Sequence, residues 1–162
     1  MPVQKPEDAD LMIAAAISAW DVDAAAAFYN VDITDATGVR AALEDFRPQV
    51  VDHHAAQASV SRSMREPSVD VSVNVEGSIN VLEASRQTGV EQFIFASTGG
   101  ALYGEPTYLP CDEGHSVRPL SIYGASKYAF EVYLYTYHQT YGLPVTILRY
   151  ANVYGPRQDP HG

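Results

Sequence analysis

The sequence predicts an α/β fold in which parallel strands alternate with helices. Short runs rich in β-branched and aromatic residues alternate with longer segments whose apolar residues recur at helical spacing. The predicted strands are 26–33, 49–57, 91–97 and 143–149, and the predicted helices are 34–46, 68–89 and 121–141. Such alternation is typical of a parallel sheet flanked by crossover helices, here with about four strands.

Length and composition are those of one globular domain. The chain has 162 residues, of which 46% are hydrophobic and 19% charged, and this is enough to bury a core. A net charge of −10 argues against a nucleic-acid partner. The single cysteine, Cys111, excludes an internal disulfide and suits a reducing cytoplasm.

The N-terminal region has no feature of a membrane span or a secretory leader. Its most apolar stretch, 11–17, is far shorter than the ~20 residues that cross a bilayer, and Asp21 and Asp23 follow it. Lys5 stands alone among acidic neighbours, so a basic leader is missing. We expect a cytoplasmic protein with no membrane partner.

Residues 1–25 differ from the rest of the chain. An alanine-rich run at 14–20 favours helix, and the first glycine of the chain is Gly38. The segment therefore cannot form the glycine-rich turn that holds a dinucleotide pyrophosphate at a helix N-terminus. We divide the chain into an atypical N-terminal segment, 1–25, and a main domain, 26–162.

The predicted helix 121–141 carries a phenol and an amine on one face. Tyr123 and Lys127 are four residues apart, so their side chains leave the same side of the helix. A free phenol ionises near pH ~10, and a nearby cation favours the phenolate, which makes Tyr123 a candidate general base. The same spacing also fits two residues that only share a surface, so the flanking strands have to decide.

Polar residues follow both neighbouring strands. Strand 91–97 leads into Ser97-Thr98 and two glycines, and strand 143–149 leads into Tyr150-Ala-Asn152. This ordered set resembles the extended short-chain dehydrogenase/reductase family, and within it the NAD-dependent epimerase/dehydratase branch that includes the UDP-glucose 4-epimerases. The resemblance runs from about residue 29 to residue 162. It implies an incomplete Rossmann-like doubly wound parallel sheet, with 26–162 as a partial NAD-binding domain.

The resemblance implies that NAD oxidises and then reduces a nucleotide sugar at C4. Tyr123 would take the proton of the 4-hydroxyl, and Lys127 would lower the pKa of Tyr123 and bind the nicotinamide ribose. Thr98 would hydrogen-bond to the same hydroxyl, with Ser97 as the competing choice. Two glycines follow Thr98 where the 4,6-dehydratases carry Asp and Glu, so epimerisation or plain oxidoreduction is favoured over dehydration.

The resemblance also implies binding positions. For the cofactor these are Asp32, Ile33, Ala55, Ala56, Gln57, Asn74, Ser97 and Tyr150, and for the substrate Tyr103 and Asn152. Asp32 and Ile33 would contact adenine, although Asp32 or Asp35 could equally cap the next helix. Asn74 would lie near the nicotinamide end of the cleft, or would only bend its own helix through a local hydrogen bond.

Two further expectations concern metals and partners. His53 and His54 are adjacent on a strand, so their rings should point to opposite faces and form no metal site. Helix 121–141 is apolar around most of its girth and rich in tyrosine, a residue enriched at interfaces. The resemblance implies a homodimer through this helix and the helix that carries Asn74.

Two parts of the family pattern are missing from the sequence. The glycine-rich turn is absent, and the chain stops after Gly162, before the region that in the family closes over the nucleotide sugar. Because hydride transfer needs NAD positioned against the sugar, we expect the chain alone to be nearly inactive. The alternative is a non-catalytic Rossmann-like module for dimerisation or interaction.

Overall fold

The computed structural model describes residues 27–156, which fold around a parallel three-stranded sheet. The strands are β1 (Val50–His53), β2 (Gln92–Thr98) and β3 (Val145–Tyr150), in the order β1-β2-β3. The helices are α1 (Ala36–Phe46), α2 (Val60–Arg65), α3 (Pro67–Val71), α4 (Ser78–Thr88), α5 (Gly99–Leu102) and α6 (Ile122–Tyr141). A π-helical segment, Ser72–Gly77, joins α3 to α4. The predicted Rossmann-like parallel sheet is confirmed.

The register of the sheet brings the ends of β2 and β3 together. Val50 pairs with Gln92 at the start of β1, and Thr98 pairs with Tyr150 where the other two strands end. All strands run the same way, so their carboxyl ends lie at one edge. Open α/β sheets bind their ligands at that edge.

The core lies between the sheet and α6. Phe93 and Phe95 project from β2 towards α6, and the centroids of their rings are 6.3 Å and 4.8 Å from that of Phe130. Leu82 and Leu134 are fully buried beside them. Burial of side chains of this size stabilises the fold by ~1.5–3 kcal/mol each. This packing fixes the first turns of α6 at the carboxyl edge of the sheet.

Capping residues set the ends of α6. The Ser121 hydroxyl accepts a hydrogen bond from the amide of Gly124 at 3.1 Å, which satisfies one free donor of the first turn. At the other end Gly142 adopts a left-handed conformation with φ 71°, and its amide donates to the carbonyl of His138. Only glycine enters that region without strain, so the helix stops there.

The predicted strand at 26–33 is wrong. Residue 26 lies outside the described residues, and 27–33 contain no strand, so within 27–156 the sheet has three strands rather than the expected four. A strand needs a hydrogen-bonded neighbour, and in the described part of the chain no strand runs beside this stretch. The segment is held by side chains instead. Ile33 is fully buried, and its carbonyl accepts a hydrogen bond from the side-chain amide of Asn80 at 3.0 Å.

The predicted helix 68–89 is present but not uniform. α3, the π-helical segment and α4 follow one another without a break, although residues 68–75 alternate apolar and polar side chains with the period of two that is typical of a strand. The widened π turn contains Asn74, and such turns are frequent at functional sites. The short helices α2 and α5 lie outside the predicted helices.

Two further expectations concerned the domain boundary and the absence of a membrane span. The boundary drawn between 1–25 and 26–162 lies outside the described residues. None of the helices found between residues 27 and 156 combines the length and the apolar character needed to cross a bilayer.

Candidate active site

Tyr123 and Lys127 lie on the first turns of α6, on one face of the helix, as their spacing predicts. The ammonium nitrogen of Lys127 is 5.9 Å from the centre of the Tyr123 ring and 4.7 Å from that of Phe95. It donates a hydrogen bond to the carbonyl oxygen of Ala96 at 3.0 Å. Lys127 is therefore a buried cation anchored to β2, with the phenol beside it.

The pKa values of the pair are set mainly by burial. Burial lowers the pKa of Lys127 to about 8, while the carboxylate of Asp70 acts in the opposite direction. Burial also raises the pKa of Tyr123, and Asp70 raises it further. This direction corrects our expectation of a lowered phenol pKa, because the effects of burial and of Asp70 prevail at Tyr123. The Lys127 ammonium meanwhile bonds to the Ala96 carbonyl.

Ser97 and Thr98, the competing hydroxyls, occupy different positions. Ser97 is buried, and its hydroxyl donates to the Glu131 carboxylate at 2.5 Å. Thr98 is the half-buried last residue of β2 and pairs with Tyr150 across the sheet. The hydroxyl of Ser97 is thus engaged inside the fold, while Thr98 stands at the carboxyl edge.

Glu131 belongs to a buried cluster that sequence reasoning missed. Its carboxylate is bound by the Arg149 guanidinium, at 2.6 Å from Nη2 and 3.1 Å from Nε. Nη1 of Arg149 donates to the Tyr103 hydroxyl at 3.1 Å, and the hydrogen bond with Glu131 raises the pKa of Arg149. The available signal was a carboxylate one turn after Lys127 with an arginine on the next strand.

Tyr103, a predicted substrate residue, directly follows α5 and begins the loop that leads to α6. It is largely buried, and its ring packs edge-on against His115 at 5.3 Å between centroids. The His115 ring bonds to the Thr107 amide through Nε2 and to the Ser116 carbonyl through Nδ1, at 3.0 Å each. These contacts order the loop beside Arg149.

Asn74 and Gln57 are joined to each other and to α6. The amide of Gln57 donates to the side-chain oxygen of Asn74 at 2.8 Å, and Nδ2 of Asn74 returns a bond to the Gln57 carbonyl at 2.9 Å. The same Nδ2 lies 3.1 Å from the Asp70 carboxylate and 3.3 Å from the Ser126 hydroxyl. Asn74 thus links separate segments rather than only bending its own helix. Asp70 was not among the predicted site residues.

The predicted adenine contacts lie at the start of α1. The carboxylate of Asp35 accepts from the amides of Thr37 and Gly38, so Asp35 caps α1 and Asp32 does not. One oxygen of Asp32 accepts from both the amide and the hydroxyl of Thr34, at 2.8 Å. Ile33 is fully buried, which leaves no part of its side chain exposed to a ligand.

The remaining predicted residues are more open. Ala55 and Ala56 follow β1 and are half-buried, while Tyr150 and Asn152 are exposed at and beyond the end of β3. Gly99 lies directly against that strand end. A Cβ at this position would be 3.1 Å from the carbonyl oxygen of Arg149, so the close approach of α5 to β3 favours glycine.

His53 and His54 lie in different environments. His53 is buried among Phe93, Phe95 and Phe130, and burial together with Lys127 lowers its pKa to about 3. His54 is exposed, with Nε2 3.0 Å from the Asp52 carboxylate. Between residues 27 and 156 no three potential ligands gather into a metal site.

Comparison with known proteins identifies the family. A family model described as NAD dependent epimerase/dehydratase matches residues 7–162. The chain belongs to this family. The match begins before residue 29, where the resemblance in the sequence was expected to start, and it includes the edge residues from Thr98 to Asn152.

Several similar proteins are UDP-glucose 4-epimerases, and others include a UDP-glucuronate 4-epimerase and a dTDP-glucose 4,6-dehydratase. The UDP-glucose 4-epimerase of Mycolicibacterium smegmatis is 47% identical over 137 residues, which are 83% of this chain and 43% of the relative. The structure of the Thermus thermophilus enzyme with NAD has a TM-score of 0.80 and 56% identity, covering 83% of this chain and 44% of the other. The structure of the Thermotoga maritima enzyme with UDP-glucose has a TM-score of 0.82 and 49% identity, covering 85% of this chain and 45% of the other. The chain thus spans less than half the length of these relatives.

Proposed function

We propose that this chain carries the reacting groups of an NAD-dependent 4-epimerase acting on a nucleotide sugar of the UDP-glucose and UDP-galactose type. The observation that carries the proposal is the position of Tyr123 beside the buried Lys127 ammonium, which bonds to the Ala96 carbonyl two residues before Thr98 ends β2. The 56% identity to a UDP-glucose 4-epimerase solved with NAD supports it.

The residues at the edge fit the nicotinamide half of NAD, which when bound supplies the acceptor and donor of hydride. The Lys127 ammonium has three donors, and among residues 27–156 it makes one hydrogen bond, to Ala96, so other donors can serve ribose hydroxyls. Small Ala55 and Ala56 allow close approach to the backbone. At the adenine end, one carboxylate oxygen of Asp32 is engaged by Thr34, and the other can accept from the exocyclic amine.

In this proposal Tyr123 moves the proton and Thr98 orients the sugar. The phenolate of Tyr123 would take the proton of the 4-hydroxyl, and the hydroxyl of Thr98 would hold the same oxygen. Because burial and Asp70 raise the pKa of Tyr123 here, the proposal requires that bound ligands lower it. Tyr103 and Asn152 would contact the nucleotide sugar.

Turnover is tested in a hybrid protein. The parts of the Thermus thermophilus relative that lie outside its match to this chain are joined to this chain. We expect conversion of UDP-galactose to UDP-glucose, reduced at least ~100-fold by Tyr123→Phe, because proton transfer is commonly worth 10²–10⁴-fold. Tyr128→Phe, on the exposed side of α6, is the matched control. Equal rates for the two variants would reject Tyr123 as the base.

We propose further that the 162-residue chain alone turns over slowly or not at all. No glycine precedes Gly38, so the chain offers no glycine-rich turn for the pyrophosphate. Measured conversion by the chain with added NAD, above that of its Tyr123→Phe variant, would contradict this.

The second candidate function is a non-catalytic dimerisation module. Its support is the outer side of α6, where the exposed fractions are 51% for Val132 and 64% for Tyr135, with Met64 of α2 also exposed at 58%. Titration calorimetry with NAD separates the two functions, since micromolar binding favours the enzyme and no binding favours the module. A homodimer through α6 and the Asn74 helix fits either function. Light scattering of Tyr135→Lys, against the parent, tests that dimer.

A further inference from the structure

Asp70 is a fully buried carboxylate close to the proposed reacting pair. It lies on α3, and its Oδ2 accepts hydrogen bonds from the side-chain amides of Gln57 at 3.0 Å and Asn74 at 3.1 Å. Its Oδ1 has no hydrogen-bond partner among the described residues. Burying a carboxylate in this way opposes folding, so its presence calls for a compensating role.

Hydrogen bonds connect Asp70 to the backbone of Tyr123. Nδ2 of Asn74 reaches the Ser126 hydroxyl at 3.3 Å, and that hydroxyl donates to the Tyr123 carbonyl at 2.9 Å. On the other side, the amide of Tyr123 donates to the Ser63 hydroxyl at 3.1 Å. The turn that carries Tyr123 is therefore held against α2 and the π-helical segment.

Among residues 27–156, Asp70 is the buried carboxylate near Lys127 that no guanidinium binds. Glu131, on the same helix, is already bound by Arg149. His53 faces Lys127 from the end of β1 and is neutral, because its pKa is lowered to about 3. Asp70 acts on both members of the pair, raising the pKa of Lys127 against burial and raising that of Tyr123.

We propose that Asp70 is a positioning residue that fixes Asn74 and Gln57 against α6 and serves as the buried counter-charge of Lys127. The inference rests on the proposed function only in naming Tyr123 and Lys127 as the reacting pair. Its test uses the chain without cofactor or substrate, so it can fail while the proposed reaction stands, and the reverse.

The test is an NMR titration of Lys127. The chain contains two lysines, Lys5 and Lys127, and Lys127→Met assigns their signals. Asp70→Asn places its oxygen where Oδ2 accepts both amides but removes the charge. Glu76→Gln, at an exposed position of the π-helical segment, is the matched loss of one negative charge. Asp70→Ala removes both charge and acceptor.

In Asp70→Asn we expect the midpoint of the Lys127 titration to fall by about one pH unit, with the side-chain amide signals of Asn74 retained. Asp70→Ala should shift those amide signals as well. If the parent, Asp70→Asn and Glu76→Gln share the same Lys127 midpoint, Asp70 is not the counter-charge of Lys127. Unchanged side-chain amide signals of Asn74 in Asp70→Ala would show that Asp70 does not hold Asn74 in place. Asp70→Ser provides a second uncharged variant in which the titration is decisive if Asp70→Asn does not fold.

Discussion

Two buried charge clusters lie on the inner side of α6, and they differ in how completely their charges are paired. Glu131 and Arg149 form a close ion pair, at 2.6 Å, whose remaining atoms bond to Ser97 and Tyr103. One turn away, Lys127 bonds to a neutral carbonyl, and one oxygen of the nearby Asp70 carboxylate has no partner in the described part of the chain.

This difference in pairing indicates that the two clusters on α6 have different roles, one structural and one responsive to ligands. A satisfied pair resists change, since removing either member leaves the other buried and uncompensated. An incompletely paired charge in a poorly solvated site responds strongly to a neighbouring ligand, because little else stabilises it. The Glu131 cluster therefore joins β2, α6, β3 and the loop at Tyr103, whereas the Lys127 cluster remains sensitive to what binds at the edge.

Removal of the Glu131 side chain should give the largest loss of stability. Glu131→Ala leaves the Arg149 guanidinium with the Tyr103 hydroxyl and the Glu113 carbonyl, and we expect a loss of ~3 kcal/mol in the free energy of unfolding. Urea denaturation measures it. The control is Glu44→Ala, which breaks the exposed ion pair with Arg40 and should cost less than ~0.5 kcal/mol.

Replacing both members by apolar residues sharpens this prediction. In Glu131→Leu with Arg149→Met no charge remains buried, so most of the lost stability should return. A double variant as unstable as the sum of the single ones would show that the pair is not acting as a unit.

The parts predicted correctly from the sequence depend on local spacing or on partners that the chain supplies. β2, α6 and β3 were predicted within a few residues because each carries a clear apolar period and packs on the others. The stretch 27–33 has a strand-like composition but no neighbouring strand in the described chain, so its pattern was misleading. β-propensity records a fit to neighbours more than an intrinsic preference.

The site divides in the same way. The placement of Tyr123 and Lys127 on one face of α6 could be predicted, because helical spacing alone brings their side chains together. Asp70 and Glu131 were missed, because their partners, such as Gln57 and Arg149, come from other segments of the fold. The direction of the Tyr123 pKa shift was also missed, because burial, which the spacing does not reveal, raises this pKa most, and Asp70 raises it further from α3.

Acid should lower the stability of the folded chain through His53, a buried residue whose pKa Lys127 helps to lower. Its folded-state pKa of about 3 lies below the ordinary 6.5, so the unfolded chain binds the proton first and stability falls as pH drops below 6.5. Between pH 6.5 and 5 we expect a loss of about 2 kcal/mol from this residue, measured by urea denaturation at each pH. His53→Gln should flatten the dependence, while replacing the exposed His54 should not; parallel curves for the parent and His53→Gln would contradict the assignment.

Alkali should act through Lys127 in the opposite sense, with a smaller effect. The pKa of Lys127 is about 8 in the folded chain and 10.5 ordinarily, so between these values the unfolded state holds the proton that the folded state has released. Stability contributed by this residue therefore rises with pH, by about 1 kcal/mol between pH 7 and pH 9. Lys127→Met has no proton to release, so its stability advantage over the parent at pH 7 should narrow at pH 9. Both proteins keep the same tyrosines, and the difference between their unfolding free energies cancels phenol ionisation. A difference independent of pH would mean that Lys127 keeps its ordinary pKa, and that its cluster is as fully compensated as that of Glu131.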